Sequence, residues 1–99
     1  MAETAVATLV VWVALNRQDA LAVIALVLDS HVTEPFTLDA HIRLADGARV
    51  YVEVPRFGDP PPFAIAVESD AGRDAAQHAA TRLQARLRDN IGWPIRSEF

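Results

Sequence analysis

An alternation of apolar and polar residues on both sides of one Asp-Gly turn restricts the fold of this chain most. Apolar residues occupy every second position from 38 to 44 and again from 50 to 54, and polar or aromatic residues stand between them. Such alternation predicts two half-buried strands. Because Ala45, Asp46 and Gly47 lie between the two runs, residues 38–54 are expected to form a β-hairpin.

The register of this hairpin follows from the requirement that both apolar sets share one face. A two-residue Asp-Gly loop places Ile42 opposite Tyr51 and mixes the two faces. A three-residue loop with Gly47 in the left-handed conformation places Ile42 opposite Val50 instead, and every apolar residue then faces the core. The pairs predicted in this register are Leu44 with Ala48, Ile42 with Val50, Ala40 with Val52 and Leu38 with Val54.

Polar side chains face one another on the outer side of the predicted hairpin. The pairs are Arg43 with Arg49, His41 with Tyr51 and Asp39 with Glu53. Directly opposed like charges destabilise a strand pair. Arg43, Arg49 and Tyr51 are therefore a first candidate binding surface for an acidic protein or a phosphate. Solvent screening with diagonal contacts is the alternative explanation.

The N-terminal third of the chain is unusually apolar. Residues 8–15 are expected to form a strand that is apolar on both faces, as in a central strand or in a strand buried by an oligomer. Residues 19–31 show helical spacing, and a helix capped by Asn16 or Asp19 is the first expectation. A second strand after a turn at residues 17–18 is the alternative, because β-branched residues are frequent there. Either structure leaves apolar side chains uncovered, which favours self-association.

The C-terminal part combines a strand with a long helix. Residues 63–68 are expected to form a strand with large side chains on one face and small side chains on the other. A helix is expected to pack on the face with the small side chains. A helix is predicted from Ser69 or Asp70 to about residue 91, because this segment has the strongest helical periodicity in the chain. Gly92 predicts a left-handed stop, and the residues after Pro94 are expected to form a short tail.

These elements predict an α+β fold with a single domain over residues 1–99. The expected architecture is a two-layer sandwich in the order β-α-β-β-β-α, with both helices on one face of a hairpin-rich antiparallel sheet. The absence of cysteine excludes disulfide bonds and cysteine-ligated zinc sites. The apolar run over residues 5–15 lacks a basic leader and is too short to span a bilayer, so a cytoplasmic protein without membrane contact is expected.

Charge and composition add a second candidate surface. All 9 basic residues are arginine and 18 residues are alanine, a bias expected of a GC-rich bacterial or phage genome. Residues 1–70 carry a net charge of −6 and residues 71–99 a net charge of +2. His78, Arg82 and Arg86 recur every four residues along one flank of the last helix. Such a ridge is typical of a solvated helix face, but it is also able to contact RNA phosphates or an acidic protein.

No motif predicts catalysis or a cofactor. The four glycines are isolated and no serine lies in a nucleophile elbow. Neighbouring acidic and histidine side chains lack a diagnostic metal spacing. They are Asp29, His31, Glu34, Asp39 and His41. No catalytic or metal-binding residue is therefore predicted.

The expected function is a non-enzymatic protein–protein interaction or assembly module, most simply a homodimer joined through its apolar N-terminal third. Binding to RNA or to the ribosome is the alternative. A helix, three strands and a helix is the element order of double-stranded-RNA-binding domains, and the preceding strand makes it that of ribosome hibernation factors, a likeness of topology alone. A small hydrolase or isomerase is a remote third expectation.

Overall fold

The computed structural model describes residues 4–53 and 62–99, which form six strands and two helices. In chain order these are β1 (Ala5–Val11), α1 (Arg17–Val27), β2 (Val32–Thr33), β3 (His41–Arg43), β4 (Arg49–Glu53), β5 (Phe63–Ser69), α2 (Arg73–Ile91) and β6 (Ile95–Ser97). The strand order across the sheet is β2-β3-β4-β5-β1-β6, and all neighbours are antiparallel. The predicted α+β sandwich is confirmed, with two short strands added to it.

The hairpin of β3 and β4 has the predicted register. Arg43 pairs with Arg49 and Ile42 with Val50. The Leu44 N–H donates to the Ala48 carbonyl at 2.8 Å, which continues the predicted pairing into the loop. Gly47 has a φ of 89°, in the left-handed region that the three-residue loop requires.

The hairpin ladder is shorter than predicted at its open end. Leu38 lies in a loop before β3 and is 89% exposed, and its predicted partner Val54 lies outside the described residues. A guanidinium N–H of Arg17 donates to the Leu38 carbonyl at 2.7 Å. This hydrogen bond connects Leu38 to the start of α1 and not to β4.

Helix α1 confirms the helical interpretation of the segment after β1. The Asn16 side chain accepts a hydrogen bond from the Asp19 N–H at 2.8 Å, so Asn16 is the N-cap. The helix ends at Val27, four residues before the expected end, and Asp29 adopts a φ of 53° in the reversal that leads into β2. Leu26 of this helix is apolar and 80% exposed.

Helix α2 starts later than expected because β5 continues through Ser69. The Ser69 hydroxyl accepts from the Ala71 N–H, and Gly72 is the N-cap without a side-chain hydrogen bond. At the other end Gly92 has a φ of 67° and donates to the Arg88 carbonyl, as the left-handed stop predicts. The residues expected to form a free tail instead pair with β1 as β6.

The core lies between the sheet and the two helices. Leu9, Ile65 and Val50 are fully buried beneath the buried residues of both helices. Ala64 and Ala66 lie on the opposite face, so the expectation that a helix packs on them is wrong. The larger alternate residues of β5 take the helix-covered side because they fill more of the core. Neither helix in the described ranges is long and apolar enough to cross a membrane.

Candidate functional site

The sheet face opposite the helices is the main candidate interaction surface. The alternate residues of β1 point away from the core, and Val6 is 55% exposed. Trp12, which directly follows β1, is 42% exposed, and the guanidinium of Arg96 lies 5.2 Å from its ring. Among the residues that the structure describes, no helix or strand packs on this face. Val6 and Trp12 lie towards opposite ends of β1, and the partly exposed Val10 lies between them, so this face is a candidate interaction surface.

Strand register arranges the open face in rows that run across the sheet. We number them from the Glu53 end of β4. The first row contains Glu53, Ala64, Val10 and Arg96. The second row contains Tyr51, Ala66 and Thr8. The third row contains Arg49, Glu68 and Val6. The middle columns are apolar in the first row, whereas the second row includes the polar Thr8 and the third row places the charged Glu68 between Arg49 and Val6.

Strand β5 is the lowest part of this face. Its outward residues Ala64 and Ala66 are small, whereas Tyr51 on β4 and Val10 on β1 are larger. The difference in side-chain size implies a short, shallow channel at the two alanines, in which Ala66 is only 6% exposed and which ends at Glu68 on the same strand. A sheet that presents larger side chains is able to pack closely along such a channel.

Arg49 is neutralised within the chain. Its guanidinium donates to both carboxylate oxygens of Asp70, at 3.2 and 3.1 Å, and lies 3.6 Å from Glu68. The hydrogen bond from Arg49, together with one from the Thr4 hydroxyl, lowers the pKa of Asp70 to about 2. Arg43 lies opposite Arg49 as predicted, but these carboxylates supply the acidic partner that the sequence argument sought outside the chain. Of the two opposed arginines, only Arg43 therefore remains a candidate for binding an acidic partner.

His41 is buried, contrary to the expectation that it faces solvent. It is 5% exposed because β2 lies beside β3, and its ring lies 5.2 Å from that of Tyr51, its predicted neighbour. Its Nδ1 lies within hydrogen-bond distance of the Asp39 carbonyl, which places the donated proton on Nδ1. Nε2 is buried and has no partner in the described part of the chain. Tyr51 is thus packed against a buried ring on the open face.

The arginine ridge of α2 contributes to a separate groove. His78, Arg82 and Arg86 are exposed, and Arg82 and Arg86 line a groove of about 810 Å³ together with Arg43. An Arg86 guanidinium N–H donates to the Val27 carbonyl at 2.8 Å, which fixes this side chain over the end of α1. Three aspartates line the same groove, Asp29, Asp46 and Asp89. Arg43 of the first predicted surface therefore meets Arg82 and Arg86 of the second in surroundings of mixed charge. Arg49, Tyr51 and His78 do not line this groove.

Val10 and Trp12 belong to residues 8–15, which were predicted to be apolar on both faces, but the sequence did not show that they share an open face with Ala64 and Ala66, which were expected to lie beneath a helix. Their signal was present as the second apolar set of β1 and the small set of β5, but the face that each set occupies depends on where the helices pack. Within the described ranges no three His, Asp or Glu residues lie close enough to hold a metal ion. Comparisons with known protein families, curated proteins and solved structures found no match.

Proposed function

We propose that this protein is a non-enzymatic interaction module that forms a homodimer through the open face of its sheet. The exposure of Val6 and Trp12 on a face that no described element covers is the observation that carries the proposal. Packing two such faces about 10 Å apart produces a sandwich of sheets and removes both apolar surfaces from water.

The first row of the open face is complementary to a reversed copy of itself. It runs from acidic Glu53 through Ala64 and Val10 to basic Arg96. Symmetric dimers use the same patch on both subunits. A two-fold axis parallel to the strands, between β5 and β1, places Glu53 opposite Arg96 of a second copy and Ala64 opposite Val10 of that copy. Each of these contacts occurs twice in the dimer.

The same axis matches side-chain size in the second row. Ala66 then lies opposite Thr8 of a second copy, so the ridge of each β1 covers the channel of each β5. Arg96 is already oriented on the face, because it donates to Glu98 at 2.8 Å and lies over the Trp12 ring. The small entropy loss of such an oriented side chain favours its use in an interface.

Binding of RNA phosphates in the groove of Arg43, Arg82 and Arg86 receives less support. The three aspartates of that groove offset the arginine charge, and the chain has a net charge of −4. The two functions differ in their salt dependence. Retention on RNA falls steeply as salt increases, whereas an apolar sheet-to-sheet dimer persists.

Sedimentation velocity over a wide range of protein concentrations tests the proposal. The wild-type protein should dimerise, and Val10→Glu should be monomeric because it places two carboxylates at the centre of the interface. Leu26→Glu is the matched control, because it makes the same change at an exposed apolar residue of α1 and should leave the dimer intact.

A second variant separates dimer loss from misfolding. Glu53→Arg keeps an exposed charged residue at a strand end, yet it opposes Arg96 of the second copy and should weaken the dimer at unchanged circular dichroism. A wild-type protein that stays monomeric at every concentration contradicts the proposal. Dimers of undiminished affinity in both Val10→Glu and Glu53→Arg contradict the proposed face.

A further inference from the structure

A cleft of about 560 Å³ lies between the start of α1 and the loop over residues 34–40. Most of the residues that line the cleft are apolar, among them Leu21 and Ala22 of α1 and, after this helix, Val32, Phe36 and Leu38. A volume of this size lies within the range of about 300–1,000 Å³ that small-molecule sites occupy. The lining is independent of the open face proposed for dimerisation.

The loop that forms this cleft has a strained backbone and exposes the apolar side chains of Phe36 and Leu38. Glu34 has a φ of 53° and Phe36 a φ of 67°, in the left-handed region that side chains rarely adopt. Phe36 is also 81% exposed, so burial of its ring does not explain its conformation. Strained residues that present exposed apolar side chains are typical of ligand-binding loops. A ligand that covers Phe36 and Leu38 recovers the burial that both side chains lack in the free protein.

Arg17 gives the cleft its chemical character. One of its terminal guanidinium nitrogens donates to the Leu38 carbonyl at 2.7 Å, which fixes the guanidinium beside the lining. Its Nε is buried and has no acceptor among the described residues. An unpaired buried donor on a charged group is unfavourable, and a carboxylate is the acceptor that best matches the edge of a guanidinium.

We propose that this cleft binds a small carboxylate with an apolar body. The carboxylate pairs with the guanidinium of Arg17, which lines the cleft, and the apolar body lies between α1 and the Phe36 loop. The positive charge of Arg17 selects an anionic head group, whereas the apolar lining selects the remainder of the molecule. Medium-chain fatty acids have this chemistry and serve as the probe.

Titration of isotope-labelled protein with octanoate, followed by NMR, tests this binding site. Octanoate should shift the backbone signals of the cleft residues and the Nε–H signal of Arg17. Octanol has the same chain without the charge, and we expect it to bind about tenfold more weakly or worse. Arg17→Met should weaken octanoate by a similar factor, and Arg88→Met is the matched control at an exposed arginine of α2.

Ala22→Phe provides a test that leaves Arg17 in place. Ala22 is exposed on α1 and lines the cleft, so a phenyl group there should occupy the space and abolish octanoate binding without unfolding the helix. Equal affinity for octanol and octanoate, full affinity in Arg17→Met or Ala22→Phe, shifts confined to the open face, or no binding up to the solubility limit would each overturn the proposal. A monomeric protein that binds octanoate at the cleft refutes dimerisation alone.

Discussion

Replacement of Arg43 by glutamate should stabilise this protein. Arg43 lies directly opposite Arg49 on β4, and a cross-strand pair of charges contributes about 0.2–1 kcal/mol, favourable or unfavourable according to sign. The substitution removes one unfavourable charge pair and introduces one favourable pair, so the change in the free energy of unfolding is the sum of the two contributions. Asp70 and Glu68 already neutralise much of the Arg49 charge, which places the expected gain near the lower end, at about 0.5–1 kcal/mol.

Urea and thermal unfolding measure this gain. For a domain of this size about 1 kcal/mol shifts the midpoint by about 4–8 °C, so Arg43→Glu should raise it by roughly 2–8 °C at low salt. The rise should shrink in 1 M salt, where the Debye length is about 3 Å. Arg43→Gln removes the repulsion only and should give about half of the gain.

A double-mutant cycle identifies the source of the effect. In an Arg49→Gln background Arg43→Glu should no longer stabilise the protein, because the opposite charge is gone. An equal gain in that background, or a lower midpoint for Arg43→Glu alone, would refute the cross-strand explanation. If Arg43 also binds an acidic partner, the same variant should lose that partner while its fold becomes more stable.

Three further predictions concern stability. The hydrogen bond from Arg49 holds the pKa of Asp70 at about 2, below an ordinary value of about 3.9. The Asp70 carboxylate therefore stabilises the fold at a pH above that ordinary value. This stabilisation is lost as the pH falls through about 2. The urea midpoints of wild type and Asp70→Asn should therefore converge on acidification, and a constant difference contradicts this. Gly92→Ala should lower the free energy of unfolding, measured with denaturant, by about 1–2 kcal/mol, because Gly92 has a φ of 67° that alanine rarely adopts. Nothing lies within 4 Å of the added Cβ, so this cost comes from the backbone and not from a steric clash. Gly92→Asn should cost less, and equal costs for the two variants would contradict a backbone origin. Trp93→Ala should lower the free energy of unfolding by about 3–5 kcal/mol, because Trp93 is buried and its ring packs edge-on to that of Phe63 at 5.6 Å. The fluorescence of the remaining Trp12 follows the unfolding of this variant. A loss below about 1 kcal/mol would show that this packing is dispensable.

Local patterns in the sequence predicted the parts of the fold that local chemistry determines. The hairpin register followed from apolar alternation and the left-handed Gly47, and the end of α2 followed from Gly92. The strands β2 and β6 escaped prediction because each has two or three residues and forms only beside a strand from a distant part of the chain. The burial of His41 was missed for the same reason, since β2 produces it.

The candidate sites were less predictable than the elements. The arginines were visible in the sequence, yet their intramolecular partners were not, because the Asp70 carboxylate reaches Arg49 only through the pairing of β4 with β5. The apolar character of β1 was visible as an excess, but its division into a buried and an open face depends on where both helices pack. The cleft at Arg17 depends on the path of a loop with two left-handed residues, which no periodicity encodes.

The position of β1 in the sheet has a consequence for how the chain folds. Val11 pairs with Phe63 and Ala5 with Ser69, so β1 is able to pair with β5 only after the β3–β4 hairpin and β5 have been synthesised. Contacts of such long sequence separation slow folding, whereas the hairpin of β3 and β4 forms from neighbours. During synthesis β1 therefore remains without its β5 partner until β5 has emerged, and an exposed apolar strand of this kind favours aggregation.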